Sequence, residues 1–193
     1  MPKDVLFSYA NLDGSGSYWR LEYVIRLLSP FISCKSTFLD FGAGIGEVGI
    51  YFSNICRVTM YDVSGDSQEF AKFHAQKLNS TMCFLNDLNE VQDNAFDVIS
   101  AQDVLEHIEN PMDIVGKLFC ALRHGGYFIT SGFWFNPNVP GHLASNIRYR
   151  NTWINDFEII GFKYLCRYSG NNWAVAVFQK QDTDAEVKSV SLE

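Results

Sequence analysis

The stretch Phe38–Phe52, FLDFGAGIGEVGIYF, holds two overlapping glycine patterns. From Gly44 it reads G-x-G-x-x-G through Gly46 and Gly49, a spacing that suits a dinucleotide; from Asp40 it reads D-x-G-x-G-x-G, which suits a different ligand. In either frame the glycines let backbone approach a ligand after a short apolar strand, and they open a helix whose amides attract negative charge. The residues around the turn have to decide between the frames.

Outward from the turn, strand and helix patterns alternate. Upstream, Ser17 caps a helix through SYWRLEYVIRLL with Leu21, Val24, Ile25 and Leu28 on one face, and Pro30 stops it. STFLDF (36–41) is the strand before the glycines, EVGIYFSNI the helix after them, and RVTMYDV (57–63) the second strand. SQEFAKFHAQKL reads as a helix with Phe70, Phe73 and Leu78 inward, MCFLND as the third strand, and AFDVISA (95–101) as a fourth with a near-continuous apolar run. Asn110 as cap, Pro111 at the first position, a periodic Ile114, Val115, Leu118 and Leu122, and Gly125 as stop predict the next helix. GYFITSGF is a fifth strand, TWINDFEIIG a helix, and FKYLCRYS and NWAVAVFQK a closing hairpin about Gly170-Asn171-Asn172. The pattern predicts an α/β fold, a Rossmann-like doubly wound sheet with an antiparallel strand at its end and ligand at the carboxyl ends of the strands. Residues 1–35 read as an N-terminal arm and lid helix, 36–180 as the folded domain, and 181–193 as a polar, disordered tail.

The 193 residues suffice for one substantial core and leave no room for a separate catalytic domain. Aromatics make up 15% of the chain, with 16 Phe, so they must line a core, a pocket or an interface. The formal net charge of −7, without a Lys/Arg cluster, disfavours nucleic acid as partner. Five scattered cysteines, Cys34, Cys56, Cys83, Cys120 and Cys166, lack a C-x-x-C pair and read as buried free thiols in a reducing compartment. The N-terminus has no signal-peptide pattern and no apolar run is long enough to span a membrane. A cytoplasmic monomer or homodimer is expected.

Asp40 separates the two frames. A carboxylate just before the glycines would repel a pyrophosphate, whereas a ligand carrying an ammonium and a sulfonium would gain from it. Asp62 ends the second strand, where it can accept from both hydroxyls of a ribose, and Asp87 ends the third, where it can accept from an adenine amino group. There is no Tyr-x-x-x-Lys pair of the short-chain dehydrogenase kind. The cationic ligand is the better fit; an NAD(P)-dependent oxidoreductase is the rival.

The segments FLDFGAGIGEVG, VTMYDVS, CFLNDL, FDVISAQDVLEHI and LRHGGYFITSGF, in this order, resemble the class I S-adenosylmethionine-dependent methyltransferases. The likeness extends from Tyr18 to Lys180 and is greatest to the small-molecule branch that includes the quinone-biosynthesis methyltransferases. It implies a seven-stranded sheet of order 3-2-1-4-5-7-6 with strand 7 antiparallel, and S-adenosyl-L-methionine as cofactor. By position, Asp40, Gly42, Ala43 and Gly44 would cradle the methionine portion and Asp62 the ribose. Val63 would flank the adenine, Asp87 and Leu88 would meet its edge and face, and the Gln102 backbone carbonyl would hold the amine. Gly49 departs from the bulkier or polar residue common in the family, which implies a looser helix start. A non-catalytic relative that keeps fold and cofactor is a further alternative.

Methyl transfer from a sulfonium needs alignment and exclusion of water, with a general base only for some acceptors. His107, after strand 4, and His142, in NPNVPGHLASN, are the catalytic candidates. Tyr9, Tyr18 and Trp19 could close over the site, Tyr18 beside the cofactor, where aromatic faces attract a sulfonium. Phe133 and Trp134 are expected to line an apolar pocket for a small-molecule acceptor, and Arg148, in the basic run Arg148-Tyr149-Arg150, to recognise an acidic group on it. Without a clustered acidic triad no metal is expected, and AQDV after strand 4 differs from the Asn-Pro-Pro-Tyr type of nucleic-acid amino methyltransferases.

Overall fold

The computed structural model describes residues 17–131, 141–170 and 173–181. Helix α1 (Ser17–Leu28) leads to β1 (Thr37–Phe41), followed by α2 (Glu47–Phe52), β2 (Arg57–Tyr61), α3 (Asp66–Lys77) and β3 (Cys83–Leu85). The chain continues through β4 (Phe96–Ala101), α4 (Pro111–Ala121), β5 (Leu122–Ser131), α5 (Trp153–Ile160), β6 (Phe162–Gly170) and β7 (Trp173–Lys180). All seven strands form one sheet of order β3-β2-β1-β4-β5-β7-β6. Strands β1 to β5 are parallel, and β7 is antiparallel to both β5 and β6. This is the topology the sequence predicts. Strand order reverses between β1 and β4, so the crevice that takes ligands in doubly wound sheets opens there, beside the glycine turn.

Burial on both faces explains the continuous apolar strands. In β1 the side chains alternate: Leu39 and Phe41 pack with Val115 and Leu118 of α4 and Phe157 of α5, while Phe38 packs with Leu28 of α1 and Ile50 and Phe52 of α2. Asp40 shares the face of Phe38, so α2 covers a carboxylate. The aromatic excess is spent largely in one place. Phe178 lies 5.0 Å from Phe157, 5.6 Å from Trp153, 5.6 Å from Tyr164 and 6.0 Å from Phe162 between ring centroids. That cluster ties the antiparallel strands to α5 and anchors the far side of the site.

Several local expectations are corrected. In α3 the inward face is Gln68, Ala71 and Ala75, and Phe73 and Leu78 stand 52% and 54% exposed. Small residues win because α3 lies close to β2, where Met60 already fills the space. Asn110 precedes α4 in a left-handed conformation (φ 51°) and makes no side-chain cap bond. The helix ends at Ala121, because Leu122 already pairs with Phe96 of β4. The thiols are free, but only Cys56 is buried; Cys34, Cys83 and Cys120 are exposed. Among the described residues no helix is long and apolar enough to cross a membrane.

Replacing Phe178 by Ala should cost about 3–5 kcal/mol of stability, as for other buried aromatic truncations, whereas Leu78→Ser should change it by no more than about 0.5 kcal/mol. Chemical denaturation of the two variants checks the assignment of inner and outer faces.

Candidate active site

The glycine turn is clamped from two sides. The Gly42 and Ala43 amides donate to the Tyr61 carbonyl at 2.8 and 3.1 Å, which binds the turn to the end of β2. The Gly44 amide donates to Oδ2 of Asp62, and the Gly49 amide donates to Oδ2 of Asp40 at 2.9 Å. Gly44 has a φ of +55° with open space where a Cβ would stand, so its backbone is presented outward as a cradle. Gly42, by contrast, is required for closure: a Cβ there would lie 2.4 Å from Val104, whose loop crosses the turn.

Gly49 also corrects an expectation. A Cβ at Gly49 would lie 2.7 Å from the sulfur of Met60, so the small residue makes the start of α2 tight rather than loose. That tight approach delivers the Gly49 amide to Asp40. Asp40 is only 4% exposed. Burial raises its carboxyl from the ordinary 3.8 to about 7, opposed by the Gly49 amide and reinforced by the charge of Asp62.

Asp62 stands at the end of β2, as expected, with each oxygen already accepting one amide, from Gly44 and from Val63. A carboxylate oxygen has a second lone pair, so both remain able to receive ribose hydroxyls. Val63 is 69% exposed beside it, an apolar face open to a purine. Asp87 is exposed at the end of β3 and accepts the Asn89 amide at 2.9 Å, capping the short turn Leu88–Glu90. Buried Gln68, which the sequence pattern did not single out, holds these ends together by donating to the Leu85 and Asp62 carbonyls.

On the β4 side, the Gln102 amide nitrogen donates to Ser100 Oγ at 2.9 Å and to the Ile129 carbonyl at 3.1 Å. Its Oε1 is buried without a hydrogen-bond partner. Two strand-end carboxylates beside an open glycine backbone form a site that seeks donors and positive charge. That fits a ligand bearing an ammonium, a sulfonium and ribose hydroxyls. Burial also raises the carboxyl of Asp62, so the unliganded site resists holding both negative charges.

Next to it lies a group that sequence spacing could not show. Glu106 is 1% exposed, and His142, 36 positions later, brings Nε2 to 3.8 Å from its Oε1. The His107 and His142 rings meet edge to face at 5.0 Å. The segment carrying His142 is pinned there by the Leu143 amide, which donates to the Glu106 carbonyl, and by the buried Asn146 amide, which donates to the Glu106 and Ile108 carbonyls. Burial raises the Glu106 carboxyl to about 8, and the nearby Asp103 adds to this. Ligand atoms of Glu106, His107 and His142 lie within 4.8 Å of one another, so this group could also hold a cation. Both predicted histidines are therefore together, with Glu106 as the member that pattern reading missed.

Of the other expected residues, Leu88 is half-buried against the core beside Asp87. Arg148 is exposed and its guanidinium stacks over the Tyr149 ring at 4.7 Å. Tyr9, Phe133 and Trp134 lie outside the described residues, as do the side chains of Tyr18 and Trp19.

Fold and site together define a Rossmann-like protein built to hold a cationic nucleoside. Residues 39–130 match the methyltransferase domain family. The match and the sheet order are those of a Rossmann-like methyltransferase domain, and S-adenosyl-L-methionine is the cofactor that such a domain implies. A ribosomal protein L11 methyltransferase of Staphylococcus aureus is 25% identical over 176 residues, covering 86% of this chain and 50% of that protein. The chain thus spans about half the length of the curated relatives it matches. Among solved structures, a SAM-dependent methyltransferase from Aquifex aeolicus superimposes with a TM-score of 0.64 at 18% identity, over 80% of this chain and 87% of that one. The PH0226 protein of Pyrococcus horikoshii gives 0.71 at 16% identity, over 89% and 94%. At such identities the structures establish the shared fold. The dinucleotide frame of the glycine turn is set aside.

Because Asp40 binds a proton more tightly in the folded chain than in the unfolded one, its stabilising effect is greatest in acid and is lost as pH rises toward about 7. Asp40→Asn should therefore be more stable than the parent at pH 8, with the gap narrowing through pH 5 and closing below about pH 4, in thermal unfolding of the unliganded protein. The same variant should bind cofactor more weakly by about 1–3 kcal/mol.

Proposed function

We propose that the protein transfers a methyl group from S-adenosyl-L-methionine to an oxygen or nitrogen of a small-molecule acceptor. The observation that carries this is that Asp40 and Asp62, at the ends of adjacent strands, accept amides of the glycine turn and of the helix it opens, with the Glu106–His142 pair following β4. In this reading Asp40, Gly42, Ala43 and Gly44 hold the methionine portion and Asp62 the ribose. Val63, Asp87 and Leu88 hold the adenine, and Gln102 holds the amine. Bound there, the cofactor supplies a methyl group already activated by a positive sulfur. What remains for the chain is to align the acceptor, exclude water and accept a proton.

His142 is the proton acceptor, and Glu106 stabilises the charge that His142 gains. His107, exposed at the rim and against the His142 ring, orients it. No metal is needed for this. We further propose that the arm 1–35 and the segment 132–150 contribute a lid, in which Tyr18 serves the cofactor and Arg148 the acceptor; Tyr9, Trp19, Phe133 and Trp134 are proposed for the acceptor as well, and their side chains lie outside the described residues. We further propose a cytoplasmic location, with which the free thiols accord, and a monomer or homodimer that engages neither nucleic acid nor membrane. A second reading is favoured by one finding: the Staphylococcus aureus relative is named for ribosomal protein L11, so a protein amine is the alternative acceptor.

Calorimetric titration with S-adenosyl-L-methionine should give saturable binding, and titration with NADH should give none; NADH binding alone would return the turn to its dinucleotide frame.

Glu106 must be ionised to balance an imidazolium, so turnover should rise with pH toward about 8. Glu106→Gln should remove that limb of the pH profile, and His142→Ala should lower turnover without changing cofactor affinity. EDTA should leave turnover unchanged; loss restored by a divalent ion would make Glu106, His107 and His142 metal ligands instead.

A further inference from the structure

We infer that Glu106, His107 and His142 form a binding site for a divalent transition-metal ion of the zinc type. Their ligand atoms lie within 4.8 Å of one another, and among the described residues no other three His, Cys, Asp or Glu converge in this way. The chain has only four histidines, so half of its imidazoles meet at this one carboxylate. The site holds whether or not the methyl-transfer reading does.

The carboxylate itself calls for a ligand. Glu106 is 1% exposed, its Oε1 lies 3.8 Å from Nε2 of His142, beyond hydrogen-bond length, and its Oε2 is buried with no hydrogen-bond partner among the described residues. A buried carboxylate in that state is costly until a cation or a donor reaches it. The backbone also makes room for the second ring. Gly141, next to His142, has a φ of +88°, and a Cβ there would stand 3.0 Å from Nδ1 of His107. Any other residue at 141 would therefore compete with His107 for its place. The two segments are held in register by the Leu143 amide, which donates to the Glu106 carbonyl at 3.1 Å, and by the fully buried Asn146, which donates to the carbonyls of Glu106 and Ile108 at 3.3 and 2.8 Å. The ligands are thus positioned by the fold before any ion arrives.

The ligand set selects the ion. Zinc bonds to imidazole nitrogen and carboxylate oxygen at about 2.0–2.2 Å, which puts two ligands of one tetrahedral ion roughly 3.4 Å apart, so side-chain shifts of about 1 Å close the set. Two imidazoles and one carboxylate suit Zn2+ or Co2+, whereas Mg2+ and Ca2+ favour oxygen ligands. Three protein ligands leave a further position of the ion open, and His107, exposed at the rim, gives it a way in. The ion then takes the lone pair of His142 that faces Glu106. In the methyl-transfer reading that lone pair receives a proton, so the metal-loaded and proton-accepting states of His142 are exclusive. The ion is an inhibitor of that reaction and no part of it.

The probes are Zn2+, Co2+ and Mg2+, titrated into the 193-residue chain without cofactor or acceptor. The readouts are the imidazole nitrogen signals in NMR with Zn2+ and Mg2+, and visible absorption with Co2+. Saturable binding of one Zn2+ should move the His107 and His142 signals together and leave those of His74 and His124 still. Co2+ should give ligand-field bands without the intense thiolate band that the free cysteines would produce. Glu106→Gln and His107→Ala should each weaken binding by about tenfold or more, and His124→Ala should leave it unchanged. His107 is exposed, so its variant serves as the test even where Glu106→Gln disturbs the fold. Rings that do not move, a cobalt spectrum dominated by thiolate, Mg2+ bound as tightly as Zn2+, or unchanged affinity in His107→Ala overturns the site. Zn2+ that binds there and leaves turnover intact overturns the inhibition alone, and it counts against His142 as the proton acceptor.

Discussion

The hydrogen bond from the Gly49 amide to the buried carboxylate of Asp40 is the constraint around which the ligand crevice is arranged. A carboxylate inside a protein is costly unless hydrogen bonds or a proton compensate it. Here the first amide of compensation comes from α2, and it arrives only because Gly49 lacks a side chain and Met60 of β2 fills the space. That packing holds α2 against the sheet and fixes where the preceding turn must run. Asp62 then grips the turn at Gly44 from the neighbouring strand. Two carboxylates on adjacent strands therefore shape the backbone that they will share with a ligand.

The sheet supplies the rest by alternation. Leu39 and Phe41 face one layer of helices while Phe38 and Asp40 face the other, so a charged residue enters the strand only toward its ligand end. The aromatic cluster about Phe178 locks β6 and β7 to α5, and this lock sets the position of Trp153 and of the segment before it. Parts of the molecule far apart in sequence are thus referred to one rigid frame. A site needs such a frame because its side chains must converge from five strand ends and the connections between them.

How much of this was legible depended on range. Period and punctuation revealed the strands, the turn and the closing hairpin, because burial on both faces of a sheet writes long apolar runs and a tight hairpin writes Gly and Asn. Strand-end acids were readable for the same reason, since each follows directly on an apolar run. Face assignment in α3 was not, because Phe73 and Leu78 suggest an inward stripe, and only the closeness of Met60 and β2 makes Ala71 and Ala75 the ones that fit. Leu122 kept helical period yet belongs to β5, since pairing with Phe96 outweighs local propensity. Glu106 carried no local signal at all. Its neighbours Asp103 and Glu109 are also acidic, and nothing in spacing distinguishes the one that is buried until His142 is brought to it.

On the side of the glycine turn stand Asp40 and Asp62, at the ends of adjacent strands. Opposite charges attract more strongly in a site that excludes water than in bulk solvent. A cationic cofactor therefore gains on the acidic side. Bringing sulfonium and nucleophile into line is the alignment that in-line transfer demands of a protein.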